Sequence, residues 1–137
     1  MDVNAAPERS WAYVADPSRL ARWWPSVDRV DRPTEASYTR WVLSPRGRAV
    51  PMHFQMIELL PGEKVTWEQD LAETAFARSV RRSCEIFEVS PNGSGSAIRL
   101  TIQRSLRGTA MLGALFVARA QKRELKLAAN ALQEALA

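Results

Sequence analysis

The sequence contains few of the residues that nucleophilic catalysis and metal binding most often use. It has one cysteine, Cys84, and one histidine, His53. A lone cysteine excludes an intrachain disulfide, and a lone histidine excludes a metal site built from several histidines. The sequence also has no phosphate-binding glycine loop, nucleotide-binding fingerprint or zinc-knuckle spacing. We therefore expect neither a metal nor another cofactor.

Long apolar runs are also missing from the sequence. No segment approaches the roughly 18 to 20 apolar residues that cross a bilayer. Residues 1–4 lack the charged start and the apolar run of a signal peptide. We expect a cytoplasmic protein that does not insert into a membrane and whose single thiol stays reduced.

Lysine is scarce too, because Lys64, Lys122 and Lys126 are the only lysines and every other basic residue is arginine. The net charge of +4 comes from 19 basic and 15 acidic residues. The two signs are interleaved, as in residues 28–32 and 122–124. Such a pattern is typical of a solvated surface rather than a phosphate-binding stripe, so we predict no nucleic-acid partner.

The chain has 137 residues, of which 46% are hydrophobic, and this predicts one globular domain over residues 1–137. Two short helices are predicted near its start. Pro7 and Glu8 suit the first turn of a helix, where proline needs no amide donor and a carboxylate complements the helix dipole. Asp16 is the predicted cap of the second helix, with Pro17 at its first position.

From residue 27 the hydrophobic period changes to two, and proline- and glycine-containing turns recur at hairpin spacing. This pattern predicts six successive antiparallel strands, over residues 27–31, 36–43, 49–60, 64–70, 77–89 and 97–106. A segment from about 109 to 136 has no proline and is rich in Ala, Leu, Lys, Arg and Glu. It predicts one long helix, which must lie on the sheet to bury its apolar face.

The order of these elements resembles that of the SRPBCC superfamily. The resemblance includes the run VNAAPERSW at 3–11, the pair Asp16-Pro17, the run WWP at 23–25 and the strand–turn–strand segment at 57–67. This START-like, helix-grip group includes the birch-pollen allergen, bacterial polyketide cyclase/dehydrase-like proteins and small lipid-transport proteins. The resemblance implies an α+β helix-grip fold, in which a curved antiparallel sheet of about seven strands wraps around a long C-terminal helix. Two short helices follow the first strand.

The first strand departs from the family pattern. Family members usually have a longer strand before the first helix, whereas only residues 1–4 are available here, so either the start of the chain is trimmed or the first strand is unusually short. A short first strand leaves the edge of the sheet open to pairing with another chain. A homodimer is therefore one predicted assembly.

The helix-grip fold implies a cavity between the sheet and the long helix. Strand alternation and helical spacing predict the side chains that line it. From the strands these are Phe54, Met56, Val65, Trp67, Val80, Cys84, Ile86, Leu100 and Ile102, and from the helices Trp23, Trp24, Met111, Leu112, Leu115 and Phe116.

Two arginines have the same strand parity as these predicted lining residues. If Arg82 and Arg104 point inward, their guanidinium groups can bind a carboxylate, phosphate or enolate. Alternatively, they lie at the cavity mouth and reach water, or a β-bulge changes the parity. Alternation turns His53 outward, and Cys84 is predicted to be a core residue rather than a nucleophile.

Three functions are compatible with this sequence. The first is binding or transport of a hydrophobic small molecule, such as a lipid, a polyketide or an aromatic metabolite. The second is a polyketide cyclase, aromatase or dehydratase that uses the same cavity. In that enzyme Arg82, Tyr38, His53 or Glu85 would move protons. The third is a protein-binding module, which an exposed apolar groove without an enclosed cavity would favour.

Overall fold

The computed structural model describes residues 1–31, 33–72, 74–108 and 113–137. Its strands are β1 (Asp2–Val3), β2 (Val27–Asp31), β3 (Ser37–Leu43), β4 (Ala49–Leu60), β5 (Lys64–Asp70), β6 (Val80–Asn92) and β7 (Gly95–Leu106). Its helices are α1 (Pro7–Val14), α2 (Leu20–Trp23) and α3 (Ala114–Leu136), with 3-10 turns at Pro17–Arg19 and Ala75–Arg78. The predicted order of elements is confirmed.

The seven strands form one antiparallel sheet in the order β1-β7-β6-β5-β4-β3-β2. Strands β2 to β7 follow one another as a meander, and β1 pairs with the far edge, with Asp2 opposite Ala97 and Val3 opposite Ser96. The sheet curves around α3, so the α+β helix-grip prediction is confirmed. Strand β1 has two residues.

A capping residue and turns determine several of the element boundaries. The Asp16 side chain accepts a hydrogen bond from the Ser18 backbone N–H at 3.0 Å, as the cap prediction requires. Strand β6 begins at Val80 rather than at residue 77, because residues 75–78 form a 3-10 turn. The first residues of the predicted long helix, 109–112, lie outside the described residues.

Helices α2 and α3 cover one face of the sheet, which we call the inner face. The indole rings of Trp23 and Trp24 pack on the Phe87 ring, with centroid distances of 5.4 and 5.6 Å. From α3, Leu132 and Leu136 are fully buried. Burial of such side chains contributes roughly 1.5 to 3 kcal/mol each, so this face holds most of the core.

No helix in the described ranges is long and apolar enough to cross a membrane.

Candidate functional site

A cavity of about 260 Å³ lies on the inner face, where strands β4 to β7, the turn at Ala75–Arg78 and the first turn of α3 meet. Apolar side chains form most of its wall, and polar side chains form the rest. The apolar lining residues are Met52, Leu71, Phe76, Val80, Leu106 and Val117. The polar lining residues are Gln69, Ser79, Ser83 and Arg104.

Three polar lining residues lie side by side on neighbouring strands. The register that pairs Glu68 with Cys84 places Gln69 of β5 level with Ser83 of β6, and Ser83 pairs with Arg104 of β7. The Arg104 Nε–H donates a hydrogen bond to the Ser83 hydroxyl at 3.3 Å. Neighbouring strands are about 4.8 Å apart, so these side chains form one short polar row across the inner face.

The Gln69 side chain is buried, and its amide nitrogen Nε2 has no hydrogen-bond partner within the part of the chain that the structure describes. An unpaired buried donor costs about 1 to 3 kcal/mol, and native proteins contain few of them. Because Gln69 borders the cavity, this buried donor lies at the cavity wall.

Strand alternation correctly predicts which residues of β4, β5 and β7 lie on the inner face. Phe54 is opposite Gln69 and Met56 is opposite Trp67, whereas Leu100, Ile102 and Arg104 are opposite inner-face residues of β6. Among these predicted lining residues, only Arg104 borders the cavity. Phe54 and Trp67 are core residues that pack against the Tyr38 ring, at centroid distances of 5.2 and 4.9 Å.

The structure determines the facing of Arg82, which the sequence left open, and corrects that of Cys84 and Ile86. The β6 register shifts between Val80 and Arg82. This bulge adds one residue, so Val80 and Ser83 share the inner face, whereas Arg82, Cys84 and Ile86 lie on the outer face. The Arg82 Nε–H bonds the Glu68 carboxylate at 2.6 Å, and the Cys84 thiol lies 3.6 Å from the same oxygen. Burial raises the pKa of the Cys84 thiol.

The structure also corrects the face of α3 that meets the sheet. Leu115 and Phe116 are 62% and 73% exposed and do not face the cavity. Val117, Glu124 and Ala128 lie at helical spacing on the covered side, and Val117 borders the cavity. The prediction followed side-chain bulk, but the helix places slimmer residues against the sheet. Met111 and Leu112 lie outside the described residues.

Both tryptophans of the WWP run are buried, and neither is among the described cavity-lining residues. Trp24 lies beneath α3, where its indole Nε1–H donates a hydrogen bond to the Glu124 carboxylate at 2.9 Å. Trp23 and Trp24 pack edge to face, with ring centroids 5.4 Å apart. The pair anchors α2 to the sheet, and Trp24 also joins α2 to α3.

A buried ion pair lies beside the cavity on the inner face. Arg40 is 2% exposed, and its Nη1 and Nη2 donate to both oxygens of the Glu85 carboxylate, at 2.9 and 2.6 Å. Its Nη2 also donates to the Tyr38 hydroxyl at 2.7 Å. Burial raises the pKa of Tyr38, and the positive charge of Arg40 offsets this only in part. Tyr38 is therefore protonated at neutral pH, and the Glu85 carboxylate is already paired.

Glu124 is a second, partly buried carboxyl group beside this ion pair. Burial raises its pKa, and the negative charge of Glu85 raises it further, while the Trp24 hydrogen bond and the charges of Arg104 and Arg40 lower it. Glu124 lies two helical turns beyond Val117 on α3. Glu124 is therefore close to the buried Arg40–Glu85 ion pair and lies on the same side of α3 as Val117, which borders the cavity.

The sequence-based candidates for proton transfer separate into two groups. Tyr38 and Glu85 meet through Arg40, whereas His53 and Arg82 lie on the outer face. His53 is exposed, as alternation predicts, and its Nδ1 is 2.8 Å from the Thr39 hydroxyl oxygen. Three important residues, Arg40, Gln69 and Glu124, were missed. The parity that Arg40 shares with Tyr38 was the one available signal for its inward facing.

Comparison with known proteins places the chain in a wider group. Residues 1–137 match the family model described as "Polyketide cyclase / dehydrase and lipid transport". No curated protein matches the sequence.

Solved structures share the fold at low sequence identity. The di-domain ARO/CYC StfQ from the steffimycin biosynthetic pathway superposes with a TM-score of 0.76 at 13% identity, over 98% of this chain and 47% of StfQ. The chain therefore spans about half the length of StfQ. A START superfamily protein from Mycobacterium smegmatis gives a TM-score of 0.70 at 13% identity, over 99% of this chain and 92% of that protein. A conserved protein from Geobacillus kaustophilus gives 0.76 at 12% identity, over 99% and 91%.

Proposed function

This chain belongs to the polyketide cyclase / dehydrase and lipid transport family, and on that basis we propose that it binds a hydrophobic small molecule between the sheet and α3. The ligand class is a lipid, a polyketide or an aromatic metabolite. The supporting observation is the inner-face cavity of about 260 Å³, whose wall is mainly apolar. Burial of apolar ligand surface there contributes roughly 25 cal/mol per Å².

The size of the cavity favours a small ligand. Typical ligand pockets measure about 300 to 1,000 Å³, so this cavity lies just below the usual range. Its wall also includes α3, through Val117, so helix and sheet both contact a guest. A ligand held there lies between the same two layers that form the core.

The proposal is tested by filling the cavity from α3. Val117→Trp places an indole in the space, and Leu115→Trp adds the same group to an exposed position on the same helix. Isothermal titration calorimetry with naphthol, a small aromatic probe, is expected to show binding by the unmodified protein and by Leu115→Trp. We expect Val117→Trp to lose this binding. Equal affinity in all three proteins would contradict the cavity as the binding site.

A second candidate function is a cyclase, aromatase or dehydratase reaction in the same cavity. The observation that favours it is Glu124, a carboxyl group with a raised pKa near Arg104 of the cavity wall. Such a group holds a proton closer to neutral pH and suits general acid–base catalysis. StfQ, an ARO/CYC protein with the same fold, is consistent with this alternative.

The enzymatic candidate is tested on a poly-β-ketone thioester. Glu124→Gln keeps the size and the hydrogen-bond acceptor but cannot transfer a proton. If Glu124 is the catalytic acid or base, this substitution slows cyclisation by about a hundredfold or more. Glu134→Gln, at an exposed position on the same helix, is the matched control and leaves the rate unchanged. Equal rates for both variants would exclude the catalytic assignment of Glu124.

A further inference from the structure

The polar row of the cavity contains two side chains with unused hydrogen-bond donors. The buried Gln69 amide nitrogen has no partner among residues 1–31, 33–72, 74–108 and 113–137. Arg104 uses its Nε–H on the Ser83 hydroxyl, and its guanidinium forms no salt bridge with a carboxylate in the same ranges. Both side chains border the cavity. The wall therefore presents several N–H groups and a positive charge.

Arg40 and Arg104 both lie on the inner face, but their charges are balanced differently. Arg40 is fully buried, and Glu85 neutralises it through two hydrogen bonds. Arg104 is half-buried at the cavity, and its positive charge lowers the pKa of Glu124 without a salt bridge between the two side chains. A cation at an apolar cavity, with donors still free, suits an incoming anion.

We propose that the bound molecule is an amphipathic anion, whose carboxylate or equivalent oxyanion is held by Arg104 and Gln69. This inference rests on the proposed function, because it uses the same cavity. Two or more N–H groups on one side match the two oxygens of a carboxylate. The apolar side chains of Met52, Leu106 and Val117 line the rest of the wall and contact the hydrocarbon part of the ligand. Charge-assisted hydrogen bonds are roughly twice as strong as neutral ones, so the anionic head selects the ligand.

The test compares two probes that differ only in the head group. Octanoate is ionised at neutral pH, and octanol has the same hydrocarbon chain without a charge. Isothermal titration calorimetry on the full chain is expected to show that octanoate binds about tenfold more tightly than octanol. Arg104→Gln removes this preference for octanoate over octanol. Gln69→Leu weakens octanoate binding severalfold, because one donor is lost.

The control is Arg99→Gln, which removes an arginine from an exposed position on the other face of the same strand. It keeps the octanoate preference. Thermal unfolding followed by circular dichroism verifies that each variant is folded. Equal affinity for octanoate and octanol in the unmodified protein overturns this inference and leaves cavity binding intact. So does an octanoate preference that survives Arg104→Gln. If octanoate, octanol and naphthol all fail to bind, the proposed function itself is wrong.

Discussion

Arg40 and Glu85 form a two-point ion pair between strands that are not neighbours in the sheet. Strands β4 and β5 lie between β3, which carries Arg40, and β6, which carries Glu85. At a spacing of about 4.8 Å, three steps across a flat sheet would separate these strands by roughly 14 Å. Their side chains nevertheless meet at 2.6 Å, because the inner face is concave. The pair joins the two sides of that concavity.

Removing one partner of this buried pair should strongly destabilise the fold. Arg40→Leu leaves the Glu85 carboxylate buried without a counter-charge, and we expect a loss of about 3 to 5 kcal/mol in the free energy of unfolding. The double variant Arg40→Leu/Glu85→Leu is expected to lose less than the sum of the two single variants. Urea unfolding measures all three. As a control, Arg82→Gln breaks an exposed pair with Glu68 and changes stability little.

The raised pKa of Glu124 predicts a pH dependence of stability with a defined sign. In the unfolded chain this carboxyl group has its ordinary pKa of 4.5, and in the folded protein the pKa is higher. Between these two values the folded protein holds a proton that the unfolded chain has released. Raising the pH through that window therefore favours unfolding.

The measurement is the free energy of unfolding against pH for the unmodified protein and Glu124→Gln. As the pH rises from 4.5 through the raised pKa, we expect the free energy of unfolding of the unmodified protein to fall relative to that of Glu124→Gln. Glutamine cannot titrate, so this component is absent from the variant. Glu134→Gln should behave as the unmodified protein does. A difference that is constant with pH would contradict the raised pKa.

The short strand β1 depends on a glycine in its partner strand. A β-carbon at Gly95 would collide with the backbone carbonyl oxygen of Val3. We predict that Gly95→Ala shifts β1 and costs about 1 to 3 kcal/mol, which thermal and urea unfolding detect. Gly113→Ala is the control, because no atom from elsewhere in the described parts of the chain lies within 4 Å of a β-carbon there. Equal stability of the two variants would show that β1 tolerates displacement without cost.

Paired substitutions test which face of α3 packs against the sheet. Leu132→Ala removes a fully buried side chain and is expected to cost about 2 to 5 kcal/mol. Phe116→Ser changes a larger residue, but its side chain is exposed, so stability should change by less than about 0.5 kcal/mol. Urea unfolding distinguishes the two. A large loss of stability in Phe116→Ser would mean that the face of α3 predicted from side-chain bulk packs against the sheet.

Local patterns were sufficient to predict most of the fold. The bounds of β2, β4 and β5 agree with the prediction, because turn residues end each strand and alternation continues between them. The cap at Asp16 was also read from neighbouring residues. These features depend on contacts within a few positions of the chain, which a sequence displays directly.

The candidate site depends on contacts between residues that are far apart in the sequence. Alternation cannot detect the bulge after Val80, so the sequence left the facing of Arg82 open. Arg40 resembles an ordinary surface arginine until its partner, 45 residues later, is brought to it across the sheet. The unpaired donor of Gln69 likewise appears only when neighbouring strands and α3 enclose it. Charge and polarity in the sequence did not reveal which groups are enclosed.

The bulge between Val80 and Arg82 determines which side chains of β6 face the cavity. If β6 kept all its residues but alternated strictly from Val80, without the bulge, its two faces would exchange over the cavity. Ser83 and Glu85 would turn to solvent, and Arg82 and Cys84 would turn inward. In this scaffold the way in which one strand accommodates an extra residue therefore determines the polarity of the cavity wall as thoroughly as several substitutions.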